Sequence, residues 1–349
     1  MDGATNRAEE HTAMDILFEI LTFAAKGLVV FLTVVACLVV FFGLTRRGRE
    51  RTGHIEVKRL NDHIKDMREA VRHSTMGPAG RKAHRKRLKR ELKKPDNLER
   101  NLFVLDFRGD MLASDVDHLR EEVSALLSIA GQNDEVVVRL ESPGGVVPNY
   151  GLAAAQLRRL RDANIRLTVC VDRIAASGGY MMACVAHEVL AAPFAIIGSI
   201  GVIAPVPNVH SLLRRYGIDY QEMTAGEFKR TVSLFGEITD KGRRRFQEQL
   251  EETHTVFKDF IRTNRPELSV DEVATGEYWL ASRALELGLV DRLSTSDDHL
   301  VSKLDQANIL EVKYKQPQSI RERLSEATTH IAERVSLRLI ARLSGMQHG

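Results

Sequence analysis

A serine between small residues is the first candidate for chemistry in the sequence. Ser177 lies in RIAASGGYMMAC, residues 173–184, with two alanines before it and two glycines after it. An apolar run leads into this segment and a helix-like run leads out, which predicts a turn between a strand and a helix. Small neighbours leave the open space that a nucleophilic oxygen needs. The pattern indicates covalent catalysis by serine, although no histidine adjacent in sequence offers a base.

A glycine pair is the second candidate. Gly144 and Gly145 follow an apolar run in ESPGGVV, residues 141–147. Glycine adopts backbone conformations closed to other residues, and the N–H groups of such a turn can point into a cleft, as an oxyanion hole requires. A tight strand-to-helix turn is the ordinary explanation of a lone PGG. The phosphate-binding patterns GxxxxGK[ST] and GxGxxG do not occur in the sequence.

Strands and helices alternate around both segments. NLFVLDFRG, DEVVVRLES and IRLTVCVD predict buried strands, and the runs between them predict helices, the first with Ser114 as its N-cap. The stretch YMMACVAHEVL predicts a helix after Ser177, and FAIIGSIGVIA predicts a further strand. This alternation is typical of an α/β fold whose mainly parallel sheet is joined by crossover helices.

Composition excludes several classes of protein. The chain has 349 residues, of which 44% are hydrophobic and 28% charged, with a net charge of +3, as in an ordinary globular protein. Cys37, Cys170 and Cys184 lie in apolar surroundings without metal-ligand spacing. They predict buried thiols, neither a disulfide framework nor a zinc site.

The N-terminal region predicts a retained membrane anchor. Residues 27–44, GLVVFLTVVACLVVFFGL, are eighteen residues without a charge. With the apolar stretch upstream they suffice to cross a hydrocarbon core of about 30 Å. A cleaved signal peptide fits less well, because the run is long, an acidic segment precedes it and no small-residue cleavage site follows.

Two basic runs follow the anchor, TRRGRERTGHIEVKR and RKAHRKRLKRELKK at residues 81–94. No aromatic residue is interleaved to stack on bases, so nucleic acid is not an expected partner. A solvated helical connector beside anionic head groups is the favoured interpretation. By the positive-inside rule these charges place the chain that follows them on the cytoplasmic side.

The series ESPGG, ASGGYMMA, GSIGVIA, AGEFKR and GLVDRL resembles the signal peptide peptidase A family of membrane serine peptidases. The resemblance extends from Phe103 to about Leu293. It is nearest to the type that carries a single N-terminal anchor and a long basic connector. It implies a ClpP/crotonase-type β-β-α superfold with an N-terminal transmembrane helix.

The resemblance also implies a Ser–Lys dyad, so that no histidine is needed. It assigns the nucleophile to Ser177, the base to Lys229 of AGEFKR, and a serine that orients the lysine to Ser199 of GSIGV. The oxyanion donors correspond to the backbone N–H groups of Gly144 and Gly178. A lysine is a base only when neutral, so its pKa, ordinarily about 10.4, must fall through burial. A Ser–His–Asp triad stays open as an alternative.

We therefore expect four regions: a membrane anchor at 1–45, a basic helical connector at 46–100, a Ser–Lys peptidase domain at 101–313 and an amphipathic C-terminal tail at 314–349. The tail has the pattern of a helix that lies on a membrane, pairs with another helix or packs at the end of the domain. The expected function is that of a membrane-anchored serine endopeptidase acting on polypeptides or signal-peptide-like segments. It would need no metal or organic cofactor.

The expected partners are polypeptide substrates, the lipid bilayer and further copies of the chain, because the resemblance implies a homo-oligomer such as a tetramer or octamer ring. The expected location is a bacterial inner membrane with a single pass. Several members of the family act on the outer face, which opposes the cytoplasmic placement from charge. Two alternatives remain: a crotonase-type acyl-CoA enzyme, and an inactive membrane scaffold of the same fold, which an exposed Lys229 far from Ser177 would favour.

Overall fold

The computed structural model describes residues 53–77 and 98–316, together with Lys26, Gly27, Thr33 and Gly80. Almost all of the predicted anchor, the basic run at 81–94 and nearly all of the C-terminal tail lie outside these residues. Within the residues described, no helix is both long and apolar enough to span a membrane. The chain divides into two compact units: one comprises Met1–Gly53 and Gln316–Gly349, and the other, His54–Lys315, contains every predicted site residue.

A seven-stranded sheet forms the centre of the unit His54–Lys315. Its strands, numbered along the chain, are β1 His54–Arg59, β2 Asn101–Arg108, β3 Glu135–Glu141, β4 Arg166–Val171, β6 Glu188–Ala191, β9 Arg292–Leu293 and β10 Asn308–Lys315. They lie in the order β1-β10-β2-β3-β4-β6-β9. Every neighbouring pair is parallel except β1 and β10. The predicted α/β organisation with a mainly parallel sheet is confirmed.

Helices cover both faces of this sheet. The helices of the described residues 53–77 and 98–316 are α1 Leu60–Thr75, α2 Val116–Leu127, α3 Val147–Asp162, α4 Gly178–Ala183, α5 His210–Arg215, α6 Asp240–Asn264, α7 Val270–Val273, α8 Ala281–Glu286 and α9 Ser296–Lys303, and all but α5 bury residues. Alternate residues of a strand point to opposite faces, and β2 shows this plainly. Phe103 and Leu105 join the larger core with α2 and α3, whereas Leu102 and Val104 join a smaller core with α9.

A second, three-stranded sheet lies beside the first. It consists of β5 Ile174–Ala176, β7 Ile196–Gly198 and β8 Tyr278–Leu280, with β5 parallel to β7 and β8 antiparallel to it. A single parallel bridge between Ser142 and Ala175 ties the end of β3 to β5. The ends of β3, β5 and β7 therefore bring three predicted motifs, ESPGG, ASGGY and GSIGV, to one place.

Two local predictions at helix ends are wrong. Ser114 is not the N-cap of α2, because Asp115 holds that position and the Ser114 hydroxyl donates to Asp110 instead, at 2.7 Å. The helix after Ser177 ends at Ala183, and Glu188–Ala191 form β6. A short apolar run fits a buried strand as well as a buried helix, and here the run forms a strand because it pairs with β4.

The N-terminal boundary of the globular unit also differs from the prediction. Residues 54–59, assigned to a helical connector, form β1 and pair with β10 over six residues. Asn61, at the start of α1, is fully buried and fixes this junction. Its amide nitrogen donates to the carbonyls of Leu304 and Ala307 at 3.1 and 3.0 Å, and its oxygen accepts from the Ile309 N–H at 2.6 Å. Residues 54–75 thus belong to the globular unit.

The cysteines within the described residues are free and buried, as predicted. Cys170 and Cys184 are both without a disulfide partner. Burial raises the pKa of each thiol to about 12, so neither is a thiolate nucleophile at neutral pH. Cys37 lies outside the described residues.

Candidate active site

Ser177 follows β5 directly and caps the amino end of α4 in an unusual backbone conformation. Its φ is 51° and its ψ is −117°. A residue other than glycine pays about 1–3 kcal/mol for such a conformation, which persists only where the surroundings fix it. The Ser177 N–H donates to the Gly198 carbonyl at 2.8 Å, which supplies part of that restraint. The side chain is half-buried, and its hydroxyl has no hydrogen-bond partner among the residues described.

The glycines after Ser177 are required by close packing. A Cβ on Gly178 would lie 2.3 Å from Cγ of Tyr150, and one on Gly179 would lie 2.5 Å from the carbonyl oxygen of Ser142. Real Cβ atoms do not approach other atoms that closely. The small residues of ASGG thus allow the α4 backbone to pack against Tyr150 and Ser142, in addition to leaving the hydroxyl open.

The PGG loop lies directly against the nucleophile. A Cβ on Gly144 would lie 2.7 Å from Cβ of Ser177 and 2.8 Å from the nitrogen of Gly178, and Gly144 has a φ of +86°, which favours glycine. The structure therefore brings Ser177, Gly144 and Gly178 together. The N–H of Gly178 has no acceptor among the described residues, but the N–H of Gly144 donates to the Ser142 hydroxyl at 3.1 Å.

Ser199 lies beside Ser177 because their strands are in register. Ala176 of β5 pairs with Gly198 of β7, so that Ser177 and Ser199 each follow the last paired residue of neighbouring parallel strands. Ser199 also has a positive φ, 50°, and its N–H donates to the Glu277 carbonyl at 2.7 Å. No hydrogen bond of the Ser199 hydroxyl is found among the residues described.

Lys229 is exposed in the segment 202–239, which forms most of the connection between β7 and α6. Its ammonium has no hydrogen-bond or ion-pair partner within the described part of the chain, whereas two neighbouring cations do: Arg230 pairs with Glu222 at 2.8 Å, and Lys241 pairs with Glu227. Lys229 is also absent from the cavity that borders Ser177. The structure does not bring the predicted base to the predicted nucleophile within one chain.

A small cavity of about 20 Å³ opens beside Ser177, with space for about one water-sized group. Apolar side chains form most of its wall, and Thr253 of α6 adds a hydroxyl. The lining residues are Gly145, Val147, Tyr150, Ser177, Gly178, Met181, Gly201, Val202, Thr253 and Phe257.

Ser142 and Tyr150 are site residues that the sequence did not reveal. The two hydroxyl oxygens lie 2.6 Å apart, and the Tyr150 hydroxyl donates to the Asp110 carbonyl at 2.8 Å. Both residues are fully buried, and burial raises the pKa of Tyr150. Ser142 lies in the ESPGG motif, in which only the glycines were singled out, and Tyr150 lies in the predicted helix that follows it.

The histidine triad finds no support in the hydrogen bonds. No histidine bonds to Ser177 within the described residues; His118, His187, His210 and His254 have other partners. Burial lowers the pKa of His187, whose ring nitrogen accepts the Leu167 N–H. The contacts are His118 with Asp115 at 3.5 Å, His187 with Leu167 at 3.0 Å, His210 with the Phe235 carbonyl at 3.1 Å and His254 with the Ile200 carbonyl at 3.2 Å.

Similarity to known proteins covers nearly the whole chain. The family model "Peptidase family S49 N-terminal" matches residues 15–157, and "Peptidase family S49" matches residues 159–310. The "Probable protease SohB" of Haemophilus influenzae is 43% identical over 348 residues, which cover 95% of this chain and 98% of that protein. The "Probable protease SohB" of Buchnera aphidicola subsp. Acyrthosiphon pisum is 43% identical over 91% of this chain and 95% of its own.

Solved structures of proteases are also similar, at a lower level. A 1510-N membrane-bound stomatin-specific protease in complex with a substrate peptide has a TM-score of 0.39 at 14% identity, covering 66% of this chain and 98% of that one. ClpP1 from Listeria monocytogenes has a TM-score of 0.36 at 14% identity, covering 61% and 99%. The family models and the sequence relatives decide the assignment. On those grounds the chain belongs to peptidase family S49 and is a protease of the SohB type.

Proposed function

We propose that this protease is a serine endopeptidase in which Ser177 is the nucleophile and Lys229 the general base. The observation that carries the proposal is the geometry of Ser177: an unpartnered hydroxyl on a strained backbone, next to Gly144 and Gly178 and facing a cavity. Strained backbone of this kind clusters at active sites. Ser199, beside Ser177, is the residue we assign to orienting the lysine.

The proposed reaction has two steps. The Ser177 oxygen attacks the peptide carbonyl carbon while its proton passes to the neutral Lys229 amine, and backbone N–H groups hold the oxyanion. Lys229 then returns the proton to the leaving amine, which departs as the acyl-enzyme forms. A water molecule, deprotonated by the same amine, attacks the acyl-enzyme, and its collapse releases the acid and restores Ser177.

The exposure of Lys229 calls for a second surface. A lysine that acts as a base must be held neutral by burial, and Lys229 is exposed in the single chain. The same segment exposes large apolar side chains: Ile203 is 89% exposed, Tyr216 74% and Met223 91%. We infer that a second copy of the chain covers this segment and that Lys229 of one copy acts on Ser177 of another, in keeping with the homo-oligomer that the family resemblance implies.

The exposed Lys229 also favours a second candidate, a membrane scaffold of the same fold without turnover. The peptidase and the scaffold differ in whether Ser177 is the nucleophile of a hydrolysis reaction. In the peptidase, Ser177→Ala abolishes hydrolysis of an unstructured protein such as casein because the nucleophile is gone. Lys229→Arg abolishes it because arginine does not give up its proton. Ser128→Ala, which alters an exposed serine at the end of α2, is the matched control and keeps full activity. Full activity in Ser177→Ala, or no activity in the unaltered full chain, would reject the proposal.

Membrane attachment is proposed from the sequence. Residues 27–44 form a single retained anchor in a bacterial inner membrane, and the unit His54–Lys315 faces the cytoplasm, because the basic residues follow the anchor. The side of the membrane on which this unit lies determines which polypeptides can reach Ser177.

A further inference from the structure

The loop that contains Gly144 is connected to a buried chain of hydroxyl groups. The Gly144 N–H donates to the Ser142 oxygen at 3.1 Å, the Ser142 and Tyr150 oxygens are 2.6 Å apart, and the Tyr150 hydroxyl donates to the Asp110 carbonyl at 2.8 Å. A hydroxyl has one hydrogen to donate. Because the Tyr150 hydrogen goes to Asp110, the Ser142 hydroxyl must donate to Tyr150. The chain therefore runs in one direction, from Gly144 to the Asp110 carbonyl.

The two hydroxyl residues contact the backbone on both sides of the nucleophile. The Ser142 N–H donates to the Ile174 carbonyl at 2.8 Å, and its carbonyl accepts the Ala176 N–H at 3.0 Å, so Ser142 is bonded to β5, the strand that leads into Ser177. The Tyr150 ring lies against Gly178, where an added Cβ would be 2.3 Å from its Cγ. Ser142 and Tyr150 are both fully buried.

The direction of the chain changes the assignment of the oxyanion donors. The Gly144 N–H points to a buried hydroxyl, and Gly144 is itself buried. Gly145 is half-buried and lines the cavity with Ser177 and Gly178, whereas Gly144 does not. In the part of the chain that the structure describes, the Gly145 N–H has no acceptor. The amide that the loop leaves open beside Ser177 is that of Gly145.

We propose that Ser142 and Tyr150 are positioning residues of the oxyanion hole. Their chain of hydroxyl groups keeps the Gly144 N–H directed at the Ser142 oxygen, away from the cavity. In this position of the loop, the N–H of Gly145 lies beside the N–H of Gly178. Fully satisfied buried networks of this kind rigidify the groups they connect. Neither hydroxyl touches the substrate. The inference rests on the proposed function, since an oxyanion forms only if Ser177 attacks a carbonyl.

The test is Tyr150→Phe in the full-length protein. The substitution keeps the ring against Gly178 and removes the hydroxyl alone. Loss of a positioning group lowers kcat by about 10- to 100-fold and leaves KM within about twofold. Ser142→Ala breaks the same chain and lowers kcat to a similar extent. The double variant is no slower than the slower single variant, because residues of one network are not additive.

Tyr180→Phe is the matched control. The Tyr180 hydroxyl is also buried and also donates to a carbonyl, that of Leu289 at 3.0 Å. Removing it lowers the melting temperature about as much as Tyr150→Phe does and leaves kcat within about twofold of the unaltered protein. An equal loss of kcat in Tyr180→Phe, or an additive double variant, would show that Ser142 and Tyr150 act through stability alone and would overturn the proposal.

Labelling by a fluorophosphonate separates this inference from the proposed function. The Ser177 oxygen bonds to the phosphorus of the probe and passes its proton to Lys229, while the P–F bond breaks and fluoride leaves. A phosphoryl oxygen then occupies the oxyanion hole. If the unaltered protein is not labelled at Ser177, the proposed function fails. If it is labelled, and folded Tyr150→Phe is labelled at the same rate, the positioning role alone fails. We expect labelling of the variant to slow in parallel with kcat.

Discussion

Ser177 occupies a backbone conformation that glycine adopts without strain and alanine does not. This gives a stability prediction independent of activity. Both Ser177→Ala and Ser177→Gly are inactive, but the glycine variant unfolds at a temperature equal to or higher than that of the alanine variant, because relief of about 1–3 kcal/mol of strain offsets its greater chain entropy. Thermal unfolding followed by circular dichroism measures the difference. A glycine variant that melts several degrees lower would show that the backbone of Ser177 is unstrained.

Glu122 gives a prediction about pH. Burial raises the pKa of this α2 carboxyl to about 7, an effect partly offset by the hydrogen bond from the Tyr314 N–H at 2.8 Å. The folded pKa lies above that of the unfolded chain, so this group stabilises the fold at low pH, and the contribution is lost as pH rises from 4.5 towards 7. Glu122→Gln keeps the acceptor and cannot ionise. We expect its stability relative to the unaltered protein to increase between pH 5 and pH 8.

Urea unfolding at several pH values measures this difference. Glu121→Gln, an exposed neighbour on the same helix, is the control and shows no comparable dependence. A constant difference between Glu122→Gln and the unaltered protein across the range would mean that Glu122 is not held protonated by burial.

At the residue level, the sequence predicts part of the site. The motif around Ser177 predicts a turn between strand and helix, and the structure has β5 before Ser177 and α4 after it. The parallel register that puts Ser199 beside Ser177 follows from the fold and is not visible in GSIGV. The hydroxyl pair Ser142 and Tyr150 could not be predicted, because their contact depends on how α3 packs against the end of β3.

At the level of elements, apolar runs predicted β2, β3 and β4 well because both faces of these strands are buried. β1 was missed for the opposite reason. Its residues HIEVKR are mostly exposed at the edge of the sheet, and the basic composition suggested a solvated helix. The segment of β6 predicts a helix, wrongly, because a run of alanine, valine and leucine has no decisive period over so few residues.

Asn61 tests whether residues 54–75 are part of the globular unit. Its side chain satisfies three buried backbone groups, so Asn61→Ala leaves two carbonyls and one N–H unpaired. We expect a loss of at least about 2 kcal/mol in the free energy of unfolding, measured in urea. The control is Asn133→Ala at an exposed loop position, which changes the free energy of unfolding by about 0.5 kcal/mol or less. A similar small change for Asn61→Ala would assign α1 to an independent connector.

At the scale of the whole molecule, the two halves of the predicted dyad have different surroundings. Ser177 belongs to a tightly packed junction of two sheets, whereas Lys229 lies in a segment that exposes apolar side chains. The motif resemblance implies that both residues belong to one site, and within one chain they lie apart. Burial of Lys229, which its role as a base requires, depends on contacts that the single chain does not supply, and such contacts are not visible in the local sequence.

The orientation in the membrane is a further whole-molecule prediction. With the basic runs on the cytoplasmic side, protease added to intact spheroplasts leaves the unit His54–Lys315 undigested. Lysis of the spheroplasts exposes it and serves as the control for susceptibility. Digestion before lysis would reverse the proposed topology and leave the assignment of Ser177 untouched.

The most direct test of the account is complementation between two inactive variants. Ser177→Ala and Lys229→Ala are each inactive when expressed alone. Co-expressed with different tags and purified as a mixed assembly, they regain about a quarter of the unaltered activity, the share of sites that random assortment in a symmetric oligomer supplies with both residues. Turnover by Lys229→Ala alone would contradict the role of Lys229. A mixed assembly without activity would contradict a site shared between copies.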